Sequence, residues 1–445
     1  MKHKLNKYVH LIAEGTYSVL FNVETETFFV LNQSLADHVE ACRADIDRLE
    51  ELHPDLYQQM LAGRMILPAD EDEVESLVER WKKNDNNPAS FSMIINPTLN
   101  CNLRCWYCYE EHDRKPMMTH EVLESVKKLI SKKAEEAELK RLNVSFFGGE
   151  PLLGFREVVK PLLQHASDVC SKKGIPLSSN FTTNGVLLTG EVLDFLGSLT
   201  LSRPATFQIS LDGNRELHDN TRVGVNRKPT YDIIVAHMKR AAERGHSISA
   251  RLNYTSENIL AFADVLDDFA DLTEEGKKNI RFNFQQIWQD QAKGDIQHRV
   301  EERKSIFKGE GFEVDSDHIN HRHLCYADME NHIVVNSDGN VFKCTARDFL
   351  PKNSEGVLTP EGEILWNEKF HSRMAVKYSN KECLACGILP ICNGGCTQNK
   401  MESGNKDQCY RHMGENDKKN YLMKRLKQLI EKQAERKRNH SVAIN

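Results

Sequence analysis

Nowhere in these 445 residues is there an apolar run approaching the roughly 20 residues a membrane helix needs, so no spanning segment is expected. The start, Met1-Lys2-His3-Lys4-Leu5-Asn6-Lys7, is basic, but no apolar stretch or small-residue cleavage site follows it. Export is therefore not expected, and the protein reads as cytoplasmic. An excess of positive charge is also missing: 59 Lys and Arg face 65 Asp and Glu, a net charge of −6, so no general basic field points to nucleic acid. What remains is the composition of a soluble globular protein, 40% hydrophobic and 28% charged. A reducing compartment leaves little room for disulfides, so clustered cysteines favour metal. Ten of the twelve cysteines fall into two groups, residues 101–108 and 325–409. Cys42 and Cys170 stand alone and read as buried apolar thiols.

At about 150 residues per domain the length suggests about three domains. The first region, 1–88, shows three short β-branched and aromatic stretches, Tyr8–Ile12, Tyr17–Asn22 and Thr27–Leu31, with a turn at Glu24–Glu26. Helices should follow. One is suggested by Leu35, Val39, Cys42, Ile46 and Leu49, another by Val74, Leu77, Val78 and Trp81. The polar segment Lys82–Pro88 reads as a linker.

Between 89 and 310 short apolar runs alternate with helical patterns such as Val122, Val126, Leu129 and Ile130, as βα units do. Strands are expected at 91–96, 142–147, 177–182, 206–211, 248–254 and 280–285. In parallel α/β folds ligands gather at the carboxyl ends of the strands, and Cys101, Cys105 and Cys108 follow the first strand. A cysteine-rich region, 311–412, comes next. The last segment, 413–445, reads as a charged helix with Leu422, Leu426, Leu429 and Ile430 as its apolar stripe.

The first cysteine group is spaced C-x3-C-x2-C with Tyr107 before the last thiol. Three thiolates can hold three corners of a [4Fe–4S] cube and leave one iron open. Zinc knuckles instead use paired C-x2–4-C units closed by a fourth Cys or His, which is missing here. The group resembles the signature of radical S-adenosylmethionine (SAM) enzymes, C-x3-C-x-aromatic-C. That resemblance implies that SAM chelates the open iron and is cleaved to methionine and a 5′-deoxyadenosyl radical. It also implies SAM contacts for Gly148, Gly149 and Glu150, the last accepting from the methionine ammonium, and for Ser210 and Arg222. Thr182-Thr183-Asn184-Gly185 supplies short polar groups at a strand end, with Asn184 a candidate for the ribose or carboxylate, and Tyr107 should lie near the adenine. Asp212 reads as a turn residue.

The second group runs Cys325-x13-Gly339-x4-Cys344, then Cys383-x2-Cys386-x5-Cys392-x3-Cys396-x12-Cys409. It resembles the SPASM module found behind radical SAM barrels in peptide-modifying enzymes. By that likeness Cys383, Cys386, Cys392 and Cys409 close one auxiliary [4Fe–4S] cluster, and Cys325, Cys344 and Cys396 hold a second. The fourth ligand of the second is either a histidine from His318–His323 or none, leaving an iron open to a substrate thiolate.

The expected fold is α/β: a partial (β/α)6 barrel with a small α+β, winged-helix-like N-terminal domain and the cysteine-rich C-terminal domain. The order of strands and helices in 1–88 resembles peptide-recognition domains that take up a leader peptide as an added strand. The expected function is that of a SAM-cleaving maturase that crosslinks a ribosomally made precursor peptide, with three [4Fe–4S] clusters and an electron donor such as flavodoxin or ferredoxin. A thioether is the expected bond. The rivals are carbon–carbon or carbon–oxygen crosslinking, an anaerobic sulfatase maturase forming formylglycine, and a non-catalytic Fe–S or zinc peptide-binding protein. No general base is identifiable; His321, His323 and Asp338 are merely titratable neighbours.

Overall fold

A computed structural model describes residues 2–110, 116–290, 296–315, 325–404 and 406–442. The chain forms two compact units, residues 1–86, 317–329 and 372–445 in one and residues 87–316 and 330–371 in the other. Residues 317–329 and 372–412 of the cysteine-rich region fall in the first of these and residues 330–371 in the second. Among the described residues no helix is long and apolar enough to cross a membrane.

In the first unit β1 (His3–Leu5) pairs antiparallel with β5 (Ile66–Pro68). The three expected strands form a meander: β2 (Val9–Glu14), β3 (Tyr17–Asn22) and β4 (Thr27–Asn32). The single helix expected over Leu35–Leu49 is two helices, Gln33–Ala41 and Arg48–Leu52, separated by a turn. Cys42, Ile46 and Leu49 are buried all the same, so the apolar spacing does not reveal the break. Asp72 caps the helix Glu73–Asp85, accepting from the Val74 and Glu75 amides. That helix continues through the first half of the expected linker because Asp85 is buried and paired with Lys377 and Tyr378. On the helix Glu415–Val442, Leu422, Leu426 and Leu429 pack into a core with Tyr8, Phe21, Trp81 and Ile388, while Ile430 stays exposed.

The second unit is built on one eleven-stranded sheet. All six expected strands are present: β6 (Ser90–Ile95), β8 (Arg141–Phe146), β9 (Leu177–Thr183), β10 (Thr206–Leu211), β12 (Ser247–Tyr254) and β13 (Ile280–Gln286). They are parallel and adjacent in chain order. Two further parallel strands extend the row, β14 (Glu313–Val314) beside β13 and β15 (His332–Val335) beside β6. Beyond β15 the antiparallel strands β16 (Asn340–Phe342), β17 (Gly356–Leu358) and β18 (Ile364–Trp366) complete it. A separate two-stranded ladder joins β7 (Leu103–Cys105) to β11 (Arg222–Gly224).

Parallel strands covered on both faces read as continuous apolar runs. These alternate, because one face is apolar and the other polar. On the apolar face Phe146, Phe181 and Phe207 stack across three strands at 5.0 and 5.2 Å. On the polar face Asn143 donates to Ser92 and Ser145, and Asn180 donates to Asn143.

Candidate active site

The chain leaves β6 through Pro97–Asn100 and reaches Cys101 beneath the turn after β8. Two backbone bonds hold them together: the Gly149 amide donates to the Thr98 carbonyl (3.2 Å) and the Glu150 amide to the Asn100 carbonyl (2.8 Å). Gly148 takes φ +112°, and a Cβ there would lie 2.4 Å from the Thr98 oxygen; one on Gly149 would lie 2.3 Å from the Asn100 oxygen. The glycine pair is therefore required for the cysteine loop to pass, apart from any ligand. Cys105 is then zipped to Arg222 by the β7–β11 register.

A cavity of about 230 Å³ opens at the carboxyl ends of the strands. Cys101, Cys105, Cys108, Tyr107, Gly148, Gly149, Thr182, Thr183, Asn184, Ser210 and Arg222 all line it. The structure thus brings together every residue singled out for the first cluster and for SAM except Glu150. That side chain is fully buried and does not line the cavity. Its carboxylate accepts from the Leu152 amide (2.9 Å), the Thr183 hydroxyl (2.8 Å) and the Asn184 amide (2.7 Å). In this structure Glu150 ties the end of β9 to the glycine turn. Burial raises its pKa, and these three donors oppose that shift.

Asp212 is more than a turn residue. It is fully buried and pairs with Arg222 at 3.3 Å, and it accepts from the Tyr107 hydroxyl at 3.0 Å. Arg222 and Asn253 both donate to that hydroxyl, and Arg251 donates to Asn253. Tyr107 is thus fixed by its oxygen, with the ring left on the cavity wall. Arg251, Asn253, Gln208 and Gln286 also line the cavity and were not singled out from sequence. Their signal was a polar residue at every second position of an apolar strand, as in Ser249-Ala250-Arg251-Leu252-Asn253. At the rim Tyr109 stacks on Trp288 at 6.1 Å. Asp338 is spent on the β15–β16 turn, accepting from Asn336 and Asn340, and His321 and His323 lie outside the described residues.

The three thiols fit a cube better than a single ion. Among the described residues no three Cys, His, Asp or Glu side chains converge as they would on one metal ion, whereas a cube receives each thiolate at a different corner. The protein environment alone pushes Cys101 up to about 12, through burial and the Glu150 charge, so its thiolate needs a bound cation.

In the first unit Cys383, Cys386, Cys392 and Cys409 line one cavity together. Asn393, Gly394 and Gly395, all with positive φ, turn the chain between Cys392 and Cys396. The other expected trio is divided, with Cys325 and Cys396 in the first unit and Cys344 in the second. Cys42 and Cys170 are buried, as expected.

A thiol triad on the first βα loop, above a glycine-paired turn and a polar cavity, is the architecture of a radical SAM domain. Residues 95–269 match the sequence model of the Radical SAM superfamily, so this stretch of the enzyme is a radical SAM domain. It is 24% identical over 365 residues to the serine-type anaerobic sulfatase-maturating enzyme of Klebsiella aerogenes, covering 73% of this chain and 84% of that one. To the radical SAM cyclopropyl synthase TigE of Paramaledivibacter caminithermalis it is 22% identical over 443 residues, covering 88% and 89%. Its fold is that of Streptococcus suis SuiB bound to S-adenosylmethionine, with a TM-score of 0.50 at 17% identity over 90% of this chain and 96% of that one. SuiB has also been solved bound to its precursor peptide SuiA.

Proposed function

We propose that the chain is a SPASM-type radical SAM maturase that closes a thioether crosslink in a ribosomally made precursor peptide. The observation that carries the reading is the first cavity, where three thiols meet Gly148, Gly149, Asn184, Ser210 and Arg222 at the strand ends. When bound, SAM and a reduced [4Fe–4S] cluster supply a 5′-deoxyadenosyl radical that takes one hydrogen from the substrate, and a thiol proton and one electron leave as the carbon–sulfur bond closes. Cys101, Cys105 and Cys108 hold the cluster. Arg222, kept charged by Asp212, and the exposed backbone of the glycine pair orient the SAM amino-acid end, Asn184 and Ser210 serve its polar groups, and Tyr107 flanks its adenine. Cys383, Cys386, Cys392 and Cys409 take one auxiliary [4Fe–4S] cluster. Cys325, Cys344 and Cys396 would hold the other, which would supply a site for the peptide thiolate. Residues 1–88 bind the leader, and a flavodoxin or ferredoxin in the cytoplasm supplies electrons.

SuiB, solved bound to its precursor peptide SuiA, supports a peptide substrate, and that likeness spans 90% of this chain. A second reading, conversion of a protein serine or cysteine to formylglycine, is favoured by the likeness to the Klebsiella enzyme. The test is anaerobic co-expression with the peptide encoded beside this gene, followed by mass measurement with and without thiol alkylation. Loss of two hydrogens together with one alkylatable cysteine is the expected result. Loss of two hydrogens with every thiol still reactive replaces the thioether by a carbon–carbon or carbon–oxygen bond. An unchanged peptide moves the assignment to the second reading. Absence of 5′-deoxyadenosine from the dithionite-reduced enzyme would refute both.

A further inference from the structure

Among the described residues of the first unit two lysines, Lys377 and Lys400, are almost fully buried near the C-terminal cysteines, and they differ in one respect. Lys377 pairs with Asp85 and lies 3.8 Å from Asp328. Lys400, 1% exposed on the short helix Thr397–Glu402, directs its Nζ to no hydrogen-bond acceptor among the described residues. Asp328, the carboxylate whose charge acts on Lys400, is shared with Lys377 at 3.8 Å, which leaves the buried Lys400 ammonium short of negative charge. A Cβ on Gly394 would lie 3.0 Å from Lys400 Nζ and 3.6 Å from Cys383 Sγ, so ammonium and thiol flank the same glycine on the wall of the four-cysteine cavity. Lys400 stands behind Gly394 and does not itself line the cavity; the cations that do are Lys418, paired with Glu415 at 2.7 Å, and Arg411, which lies over the Tyr421 ring.

We propose that Lys400 is the counter-charge of the cluster held by Cys383, Cys386, Cys392 and Cys409, and that it raises that cluster's reduction potential. The proposal rests on that cavity holding an iron–sulfur cluster. Four thiolates around such a cluster leave it anionic, and reduction adds one more negative charge. A fixed cation in a medium of low dielectric favours the more negative state, and net charge and hydrogen bonds to sulfur are what set these potentials. Lys400 is thus a positioning residue, tuning the cluster as an electron acceptor without touching substrate.

The test uses the full-length protein with Cys101, Cys105 and Cys108 replaced by Ala, reconstituted with iron and sulfide. The variants K400M and K400R are added to it, and Cys386→Ala identifies the signal of this cluster. Iron and sulfide content and an EPR-monitored redox titration are measured. Expected is a K400M protein with the parent's iron content whose reduction equilibrium shifts at least tenfold toward the oxidised state, about 59 mV for one electron. K400R should keep the parent's midpoint. An unchanged midpoint in a fully loaded K400M protein would overturn the proposal. If K400M loses the cluster, K400R decides: a retained cluster at the parent's potential supports the role of charge, and its loss overturns it. A parent whose Cys386-dependent metal is zinc, or which holds no iron there, would refute the cluster reading itself and the proposal with it.

Discussion

Replacing Glu150 with Ala separates two roles that the glycine–glycine–glutamate turn suggests for that side chain. If its carboxylate serves only the ligand, the SAM-free protein should not notice its loss. The structure predicts otherwise. The fully buried carboxylate accepts from the Leu152 and Asn184 amides and from the Thr183 hydroxyl, at 2.7–2.9 Å. In the variant two backbone donors would be left buried without an acceptor, each costing about 1–3 kcal/mol. Part of that is returned, because burial disfavours the carboxylate's charge. A net loss of about 3 kcal/mol follows from those unpaired donors. For a unit this large it lowers the melting temperature by about 6–12 °C. Calorimetry on the SAM-free enzyme measures this, and isothermal titration measures SAM affinity in parallel. A melting temperature unchanged from wild type, with SAM binding lost, would refute the anchoring role and return Glu150 to the ligand.

Three further outcomes are expected. Gly149→Ala would drive a Cβ to within 2.3 Å of the Asn100 carbonyl, displacing the loop that presents Cys101; iron per chain should fall to that of the triple variant lacking Cys101, Cys105 and Cys108. Lys377→Met would strand the buried Asp85 and Asp328 carboxylates. It should destabilise the first unit by about 3–5 kcal/mol in urea unfolding, and adding Asp85→Leu should restore part of this. His332 is buried near the Lys343 ammonium, and burial first and that charge second lower its pKa to about 3. The unfolded chain therefore binds a proton that the folded one refuses. Stability present above pH about 6.5 is lost on acidification toward about 3, by up to about 1.4 kcal/mol per pH unit. A His332→Gln variant should show a shallower loss between pH 7.5 and 5.5, measured as the urea midpoint at each pH.

Where the chain's chemistry repeats locally, it is legible in the order of residues. The strands of the second unit alternate Ile, Val and Phe with Ser, Asn, Thr and Gln because one face packs and the other lines a polar interior, so their period of two survives in the sequence. Their ends fall within a residue or two of expectation. The spacing of Cys101, Cys105 and Cys108 is legible for a related reason: all three lie on one short loop. By contrast β14 has only two residues and shows no period, and β15, His-Ile-Val-Val, sits amid cysteines that draw attention elsewhere. The break after Ala41 is hidden because Cys42, Ile46 and Leu49 reach the core from a turn as well as from a helix.

The site shows a different limit, one of direction and not of spacing. Tyr107, Asp212, Arg222 and Asn253 come from four segments, and nothing in any one of them announces that a phenol oxygen will sit among the other three. Glu150 stands out along the chain, but the two amides that hold its carboxylate, Leu152 and Asn184, point at it only after β9 is laid beside β8. The glycines before it are explained by that same packing, since they are pressed against the cysteine loop whatever ligand is present. Lys400 extends the point. As one of 59 basic residues it carries no mark. It becomes informative only when the fold buries it beside four thiols with no hydrogen-bond acceptor among the described residues: its charge calls for an anionic occupant of that cavity, which zinc with four thiolates and a [4Fe–4S] cluster both are, and a redox titration tells the two apart because only the cluster has a potential to tune.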